Sequence, residues 1–420
     1  MERKTFISLL VMLLCLGSVF SMTAMAFEPV QDPAPVQDPA KMWTRSPYPL
    51  YLKDTQPVKD AMAYARQLAG DDWYFLQLQR LQCADVDESN TVVQTPGSNN
   101  NDGMNPNVWK EIPAVPTKVF DNVYYVGGME VGGWIIDTGA GYIMLDTSYQ
   151  YAIDTILLTN MAKMGLDPAK VKYILITHGQ VGPMTADHAG AVQYFNNKYG
   201  TKVVLSEQEA ASSNPALLKN GAEDIIIGGD GKTLTLGNTT ITMVHTPRSY
   251  DRNTGNPGGG LSYFIPVKIK GKHHMWATYG NTGINVGSVM GKSNVELYLD
   301  SMAKFLGYVD SLKPDIAISS HPFVDGSIRR MEIIRECQDK RGRQDVCGPH
   351  NPFLIGKEVA RRYFEIMNQC AVVRQEREQA GLSANGLGCP DVSKLDTTTG
   401  ICVCPVGSKL DFTTAKCVTP

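Results

Sequence analysis

The chain has 420 residues, of which 43% are hydrophobic and 19% charged, enough apolar material for a large core and too much for a disordered polymer. Thirty-nine basic and forty-two acidic side chains leave a formal charge of −3. With no basic run to offset that balance, nucleic acid is not an expected partner.

Arg3 and Lys4 precede a mostly apolar run over residues 6–20, and Ala24-Met25-Ala26 follows. A basic start, a short apolar stretch and small residues at a cleavage site predict a signal peptide over residues 1–26, cut near Ala26. No later run approaches the ~20 apolar residues of a membrane helix, so no integral span is expected. The expected location is secreted or periplasmic. Nine cysteines less Cys15 leave an even eight, none in a C-x-x-C pair, which favours disulfides over a zinc ribbon.

Residues 27–45 contain Val-Gln-Asp-Pro-Ala twice, at 30–34 and 36–40, and read as a proline-rich tether. Within an N-terminal extension over 46–112, residues 58–83 place Ala61, Ala65 and Leu68, then Phe75, Leu78 and Leu81, at helical spacing. Residues 95–107 are a glycine- and asparagine-rich loop. Three glycine-bounded strands follow over 119–147. The main domain, over 113–380, continues with a helix at 152–164, a strand at 172–177, a helix at 187–199 and a strand at 202–206. A strand-rich stretch covers 225–267. Helix returns at 295–312, a strand follows at 316–320, and the last helix covers 354–381. Such alternation predicts a layered α/β domain.

Residues 381–420 carry a tandem repeat of period fifteen, with Cys389 and Cys402 in the first unit and Cys404 and Cys417 in the second. So little apolar material needs disulfides to hold it. The tail reads as a small appended module, either a stabilised terminus or a device for surface or envelope attachment. Trp134, Tyr250 and Tyr279 are candidates for a pocket lining, with burial in the core the commoner fate of such rings.

His178, His188, His245 and His321 all stand at strand ends or helix starts, where α/β folds present reactive groups. Together with Asp187 they offer nitrogen and oxygen donors that zinc accepts. His273, His274 and His350 lie in polar or proline-flanked segments. The runs Thr177-His178-Gly179-Gln180 and Asp187-His188-Ala189-Gly190 resemble the H-x-H-x-D-H signature of the metallo-β-lactamase superfamily. The resemblance covers about residues 116–370. It includes Phe120-Asp121-Asn122-Val123-Tyr124-Tyr125-Val126-Gly127, Ile143-Met144-Leu145-Asp146-Thr147, Val244-His245-Thr246-Pro247, Gly260-Leu261-Ser262-Tyr263 and Ser320-His321-Pro322.

The chain is most similar to exported relatives of the third metallo-β-lactamase subclass. The resemblance implies a four-layer αββα sandwich, with the helical extension and the cysteine-rich tail added to it. It also implies one or two zinc ions and hydrolysis of a small cyclic amide, lactone or ester. One implied metal set is Asp187, His188 and His321. The other is His178 with Gln180 as a weak oxygen donor in place of a histidine, completed by His245. By a second alignment Asn256 takes the place of His245, and that ligand is then lost. Asp187 is the implied catalytic residue, as a ligand that also orients water. Six residues separate Gln180 from Asp187 where the family has one, and residues 248–257 read as a second insertion. Both departures leave open an alternative, a non-catalytic binding protein that kept the fold and lost one or both metals. The absence of a G-x-S-x-G elbow weakens a serine-hydrolase reading.

The cysteine pattern predicts Cys389–Cys402 and Cys404–Cys417 in the tail, with Cys337–Cys347 and Cys83–Cys370 in the main domain. Non-reducing peptide mapping should recover these pairs. A bond from Cys389 to Cys83 or Cys370 would make the tail part of the main fold.

Overall fold

The computed structural model describes residues 55–83, 111–182, 187–339 and 350–380, and the backbone of short strands between 394 and 418. The expected signal peptide, the tether and the 95–107 loop lie outside the described residues. Among the described residues, no helix is long and apolar enough to cross a membrane.

Two sheets form the centre. The first has seven strands in sequence order: β1 (Thr117–Phe120), β2 (Val123–Tyr125), β3 (Trp134–Asp137), β4 (Tyr142–Leu145), β5 (Val171–Leu175), β6 (Lys202–Leu205) and β7 (Ile225–Ile227). Strands β1 to β4 run antiparallel, and β4 to β7 are parallel. The second sheet contains β8 (Thr233–Leu236), β9 (Thr239–His245), β10 (Leu261–Ile269) and β11 (Lys272–Thr278) as an antiparallel meander. A small ribbon of β12 (Ser288–Val289) and β13 (Lys292–Ser293) follows, and β14 (Ile316–Ala317) then joins β11 in parallel.

Helices cover both outer faces. These are α1 (Gln56–Ala69), α2 (Trp73–Gln82), α3 (Thr159–Lys163), α4 (Val192–Tyr199), α5 (Glu207–Ser212), α6 (Asn294–Leu312), α7 (Ser327–Gln338) and α8 (Lys357–Gln379). Three apolar interfaces define four layers. Ile136, Ile143, Leu175 and Val204 of the first sheet meet Ile241, Tyr263, Ile265 and Trp276 of the second. On the far side of the first sheet, Met144, Ile174 and Val203 pack with Met161, Val192 and Phe195. On the far side of the second, Val244, Phe264 and Ala277 pack with residues of α1, α2, α6 and α8. The alternation of faces along β4 and β9 is what lets one strand serve two interfaces. This is the expected αββα sandwich. Trp134 and Tyr279 are buried core aromatics, and Trp134 packs on Tyr125 and Trp276.

Several elements depart from the sequence reading for local reasons. The helix expected over 58–83 is two helices, because Gly70 takes φ +60° and Asp72 then caps the backbone N–H groups of Tyr74 and Phe75. The helix expected over 152–164 starts as a 3₁₀ turn at Gln150–Ala152 and wide turns over Ile153–Leu158 before α3. The helix expected from Asp187 begins only at Val192, since the His188 carbonyl accepts from Thr147 N and Gly190 N donates to Ser148 O. Helix α7, with Met331 and Ile334 in the core, was not anticipated.

The N-terminal helices are fastened to α8 by chemistry as well as packing. Cys83, at the end of α2, is disulfide-bonded to Cys370 in α8, as the cysteine pattern anticipated. Beside it, Arg374 Nε donates to Gln82 O at 2.7 Å and Arg377 Nη1 to Cys83 O at 2.8 Å. These are carbonyls that a helix C-terminus leaves without intrahelical partners, and cations there also suit the helix dipole. Cys337 is also disulfide-bonded, and its expected partner Cys347 lies outside the described residues. In the tail, each repeat unit forms a hairpin: β15 (Lys394–Asp396) with β16 (Ile401–Val403), and β17 (Lys409–Asp411) with β18 (Lys416–Val418). The expected pairings of the tail cysteines lie outside the described residues.

Replacing both Cys83 and Cys370 by serine removes the cross-link between α2 and α8. Loss of a native disulfide costs about 2–5 kcal/mol, so calorimetry should find a lower unfolding midpoint under non-reducing conditions. An unchanged midpoint would mean that the arginine contacts and apolar packing suffice.

Candidate metal centre

Strand β5 lies in the middle of the parallel half of its sheet, and its chain continues through Ile176 and Thr177 to His178 at the strand's carboxyl end. Asp146 stands just beyond the neighbouring β4. Its side chain is 1% exposed, yet it carries three hydrogen bonds. Thr177 N donates to Oδ1 at 2.8 Å, Thr177 Oγ1 to Oδ2 at 2.8 Å, and His188 Nδ1 to Oδ2 at 2.8 Å. Thr147 ties the next residue of the same loop to the His188 carbonyl through its backbone N–H and its hydroxyl. The backbone is in the left-handed region at Asp146 (φ 55°) and Ser148 (φ 58°), a conformation costing on the order of 1–2 kcal/mol per residue for L side chains. At Gly190 a Cβ would collide with the backbone of Ser148 and Gln150, so this turn sits directly on the loop after β4.

The other two histidines are oriented by backbone carbonyls. His178 Nδ1 donates to Gly280 O at 3.1 Å, and His321 Nδ1 to Glu130 O at 3.0 Å. A Cβ on Gly280 would strike the Leu261 carbonyl of its own sheet and stand 3.0 Å from the Thr177 carbonyl beyond β5, so glycine fits where the ends of the two sheets meet. His321 follows β14, with its backbone N–H on Ser319 Oγ at 3.0 Å.

Each imidazole therefore spends Nδ1 on an acceptor and keeps Nε2 for the interior of the site. His188 Nε2 and His321 Nε2 stand 3.2 Å apart, and Asp187 Oδ2 is 3.6 Å from His188 Nε2. One donor atom from each of His178, Asp187, His188 and His321 lies within 4.8 Å of the others. Two ring nitrogens facing each other at such a distance need a proton or a cation between their lone pairs. Three imidazoles and a carboxylate, each imidazole held from behind, make a donor set that fits a transition metal.

The electrostatics are uneven. Burial, followed by the charges of His188, Arg248 and His321, holds the His178 imidazole well below its usual range. Burial and His188 push His321 down to about 4. Burial acts against protonation of His188 too, but the carboxylates of Asp146 and Asp187 outweigh it and raise this ring. Burial would raise the Asp187 carboxyl, yet His188, His321 and Arg248 hold it low and ionised.

Not every expected ligand arrives. His245 ends β9 with its backbone N–H on Asp230 and its Nε2 3.0 Å from the Gly258 carbonyl, and it is not part of the four-residue group. Gln180 is exposed, as is Asn256. Residues 249–258 form a closed loop, with Gly258 N on Ser249 O and Asp251 N on Asn256 O, both at 2.8 Å. His273 and His350 are exposed, and His274 pairs with Asp315 at 2.7 Å.

Three residues that sequence reasoning passed over shape the site. Asp146 belonged to the Ile143–Thr147 segment without a stated role. Glu209 accepts from Gly179 N at 2.7 Å and closes a capping box with Ser206, a pattern legible as Ser-x-x-Glu before α5. Burial pushes the Glu209 carboxyl up to about 7. The third is Arg248, whose position no local pattern announces.

Residues 131–282 match the family model described as the metallo-beta-lactamase superfamily. The match is confined to that segment of the chain. Solved structures similar to it include the subclass B3 metallo-β-lactamase BJP-1 of Bradyrhizobium japonicum, 22% identical with a TM-score of 0.45, covering 61% of this chain and 92% of that one. They also include MEM-A1, a subclass B3 metallo-β-lactamase from a soil metagenome library, at 21% identity and TM-score 0.48, covering 64% of this chain and 98% of that one. The native FEZ-1 metallo-β-lactamase of Legionella gormanii is 18% identical with a TM-score of 0.48, covering 65% of this chain and 99% of that one. No curated protein matches the chain. The matched span contains His178, Asp187 and His188, whereas His321 lies beyond it.

Asp146→Ala strands the buried donors on Thr177 and His188, at about 1–3 kcal/mol for each group left unsatisfied. It also places alanine in a left-handed conformation. Asp146→Asn keeps an acceptor and a residue type that tolerates this backbone. Thermal denaturation should rank wild type above Asn and Asn above Ala. Equal midpoints for all three would show that the carboxylate does not organise the site.

Proposed function

We propose that this chain is an exported, zinc-dependent hydrolase acting on the carbonyl of a small cyclic amide, lactone or ester. The observation that carries the reading is the convergence of His178, Asp187, His188 and His321 within 4.8 Å on the superfamily's domain. The disulfide between Cys83 and Cys370 agrees with export, as does the expected signal peptide. The C-terminal repeat would then be a separate stabilised module, with surface attachment as its further role.

Zinc, when bound, polarises a carbonyl and acidifies water towards a pKa of ~7. The protein's part is to supply lone pairs and to manage protons. The Nε2 atoms of His178, His188 and His321 are the ligand atoms, since each Nδ1 is already committed to Gly280, Asp146 or Glu130. Asp187, kept ionised by its neighbours, is both a ligand and the acceptor that orients an attacking water. His178 and His321, kept neutral near pH 7 by burial, have nitrogen lone pairs to give.

A second reading has a specific observation behind it. His245 is turned to the Gly258 carbonyl and Gln180 faces solvent, so the second implied ligand set is not assembled. A binding protein of this fold without hydrolytic activity would look the same at those two positions.

Elemental analysis of gently purified protein separates the two. The hydrolase reading expects bound zinc, and it expects His188→Ala and His321→Ala to lose both the metal and any hydrolysis of a chromogenic lactam or lactone. Metal-free protein whose thermal midpoint ignores added zinc would leave the binding reading standing alone.

A further inference from the structure

His321 is framed by the turn between β2 and β3. Glu130 O accepts from its Nδ1 at 3.0 Å, and Gly132 N donates to the carbonyl of Ser320, the preceding residue, also at 3.0 Å. One short segment therefore holds both the ring and the backbone that carries it. A Cβ on Gly132 would stand 2.8 Å from Ser320 O, so the approach is as close as backbone allows.

Much of the grip on that turn comes from Glu111. Its Oε1 accepts from Glu130 N at 3.0 Å and its Oε2 from Val131 N at 3.1 Å. The side chain is buried, and its own backbone N–H donates to the Tyr151 hydroxyl at 3.0 Å. A Cβ on Gly128 would collide with the Glu111 carboxyl, so glycine makes the seat for it. Val131 N–H and Glu130 C=O are the two ends of one peptide group. A continuous chain of contacts thus runs from Glu111 Oε2 through this peptide group to His321 Nδ1. A peptide whose N–H is already bonded is a better acceptor at its oxygen. Burial, and then the Glu130 carboxylate, push the Glu111 carboxyl up to about 8. Ionised or protonated, each oxygen keeps a lone pair for its N–H, so the grip does not require the charge.

We infer that Glu111 is a positioning residue for the metal centre, fixing the Glu130–Val131 peptide group and, through it, the direction in which His321 presents Nε2. The functional meaning rests on the metal-dependent reading above. The inference goes beyond it by bringing into the centre a residue that lies outside the matched span of residues 131–282.

The test is NMR of the metal-free full chain carrying isotope-labelled histidine, with Glu111→Gln and Glu111→Asp beside wild type. Glutamine keeps the shape but turns a donor towards one of the two backbone N–H groups. In this variant the His321 Nδ1–H should exchange with water about tenfold faster, the effect of weakening an ordinary hydrogen bond. The Nδ1–H groups of His178 and His188, held by Gly280 and Asp146, should keep their wild-type exchange. Aspartate retains both oxygens one methylene short and should fall between. It carries the same comparison if the glutamine variant does not fold. Chelator competition for Zn²⁺ should find the glutamine variant about tenfold weaker than wild type, as loss of a partner behind a ligand produces. Unchanged exchange at His321 in a folded variant would overturn the inference. Equal changes at all three histidines would also overturn it, because they mark a residue that only supports the fold. So would a zinc affinity within about threefold of wild type, well inside that effect. Wild type that binds no zinc would instead remove the metal-dependent reading, and the exchange rates would still decide whether Glu111 positions His321.

Discussion

Asp146 is the constraint through which the site and the fold depend on each other. A carboxylate that is almost wholly buried would be expensive unless every lone pair in use had a donor, and here the donors come from two other segments. Thr177 brings the end of β5 and His188 brings the turn that precedes α4. One side chain therefore sets the spacing between two strand ends and orients an imidazole. The left-handed backbone at Asp146 and Ser148 is the strain accepted for that arrangement, and the hydrogen bonds of Thr147 to the His188 carbonyl help to hold it.

The second sheet completes the centre from the opposite side. Gly280 follows β11 and His321 follows β14, so both stand where strands of that sheet leave its edge. Their contribution depends on the two sheets approaching closely at one end, which the backbone contact at Gly280 permits. The outer helices act on the site only indirectly. Helices α6 and α8, with α1 and α2 fastened to α8 by a disulfide and two arginines, cover the far face of the second sheet. The extension at the N-terminal side is thus part of the packed domain rather than an appendage.

Charge is distributed unevenly within the centre. His188 lies between two carboxylates and holds a proton more strongly, while His178 and His321 are buried with positive neighbours and hold theirs weakly. Asp187 stays ionised because it faces cations. A divalent ion placed among these groups would meet three imidazole nitrogens and an anionic oxygen.

Much of the architecture was legible in the order of residues. Apolar alternation bounded by glycines marked the strands, helical spacing marked α1, α6 and α8, and the histidines at strand ends marked the rim. The motif resemblance named His178, Asp187, His188 and His321, and the structure brings these four together. Cysteine counting anticipated the bond between Cys83 and Cys370. What could not be read was the direction of side chains in and beside the two inserted segments. Whether His245, Asn256 or Gln180 faces the centre depends on where backbone groups such as Ser249 and Gly258 close a loop, and on contacts with Asn281 and Ser301 far along the chain. The periodicity of strands and helices is local and is written in the sequence. The aim of an irregular loop comes from hydrogen bonds between distant segments, and these exist only once the two sheets have packed.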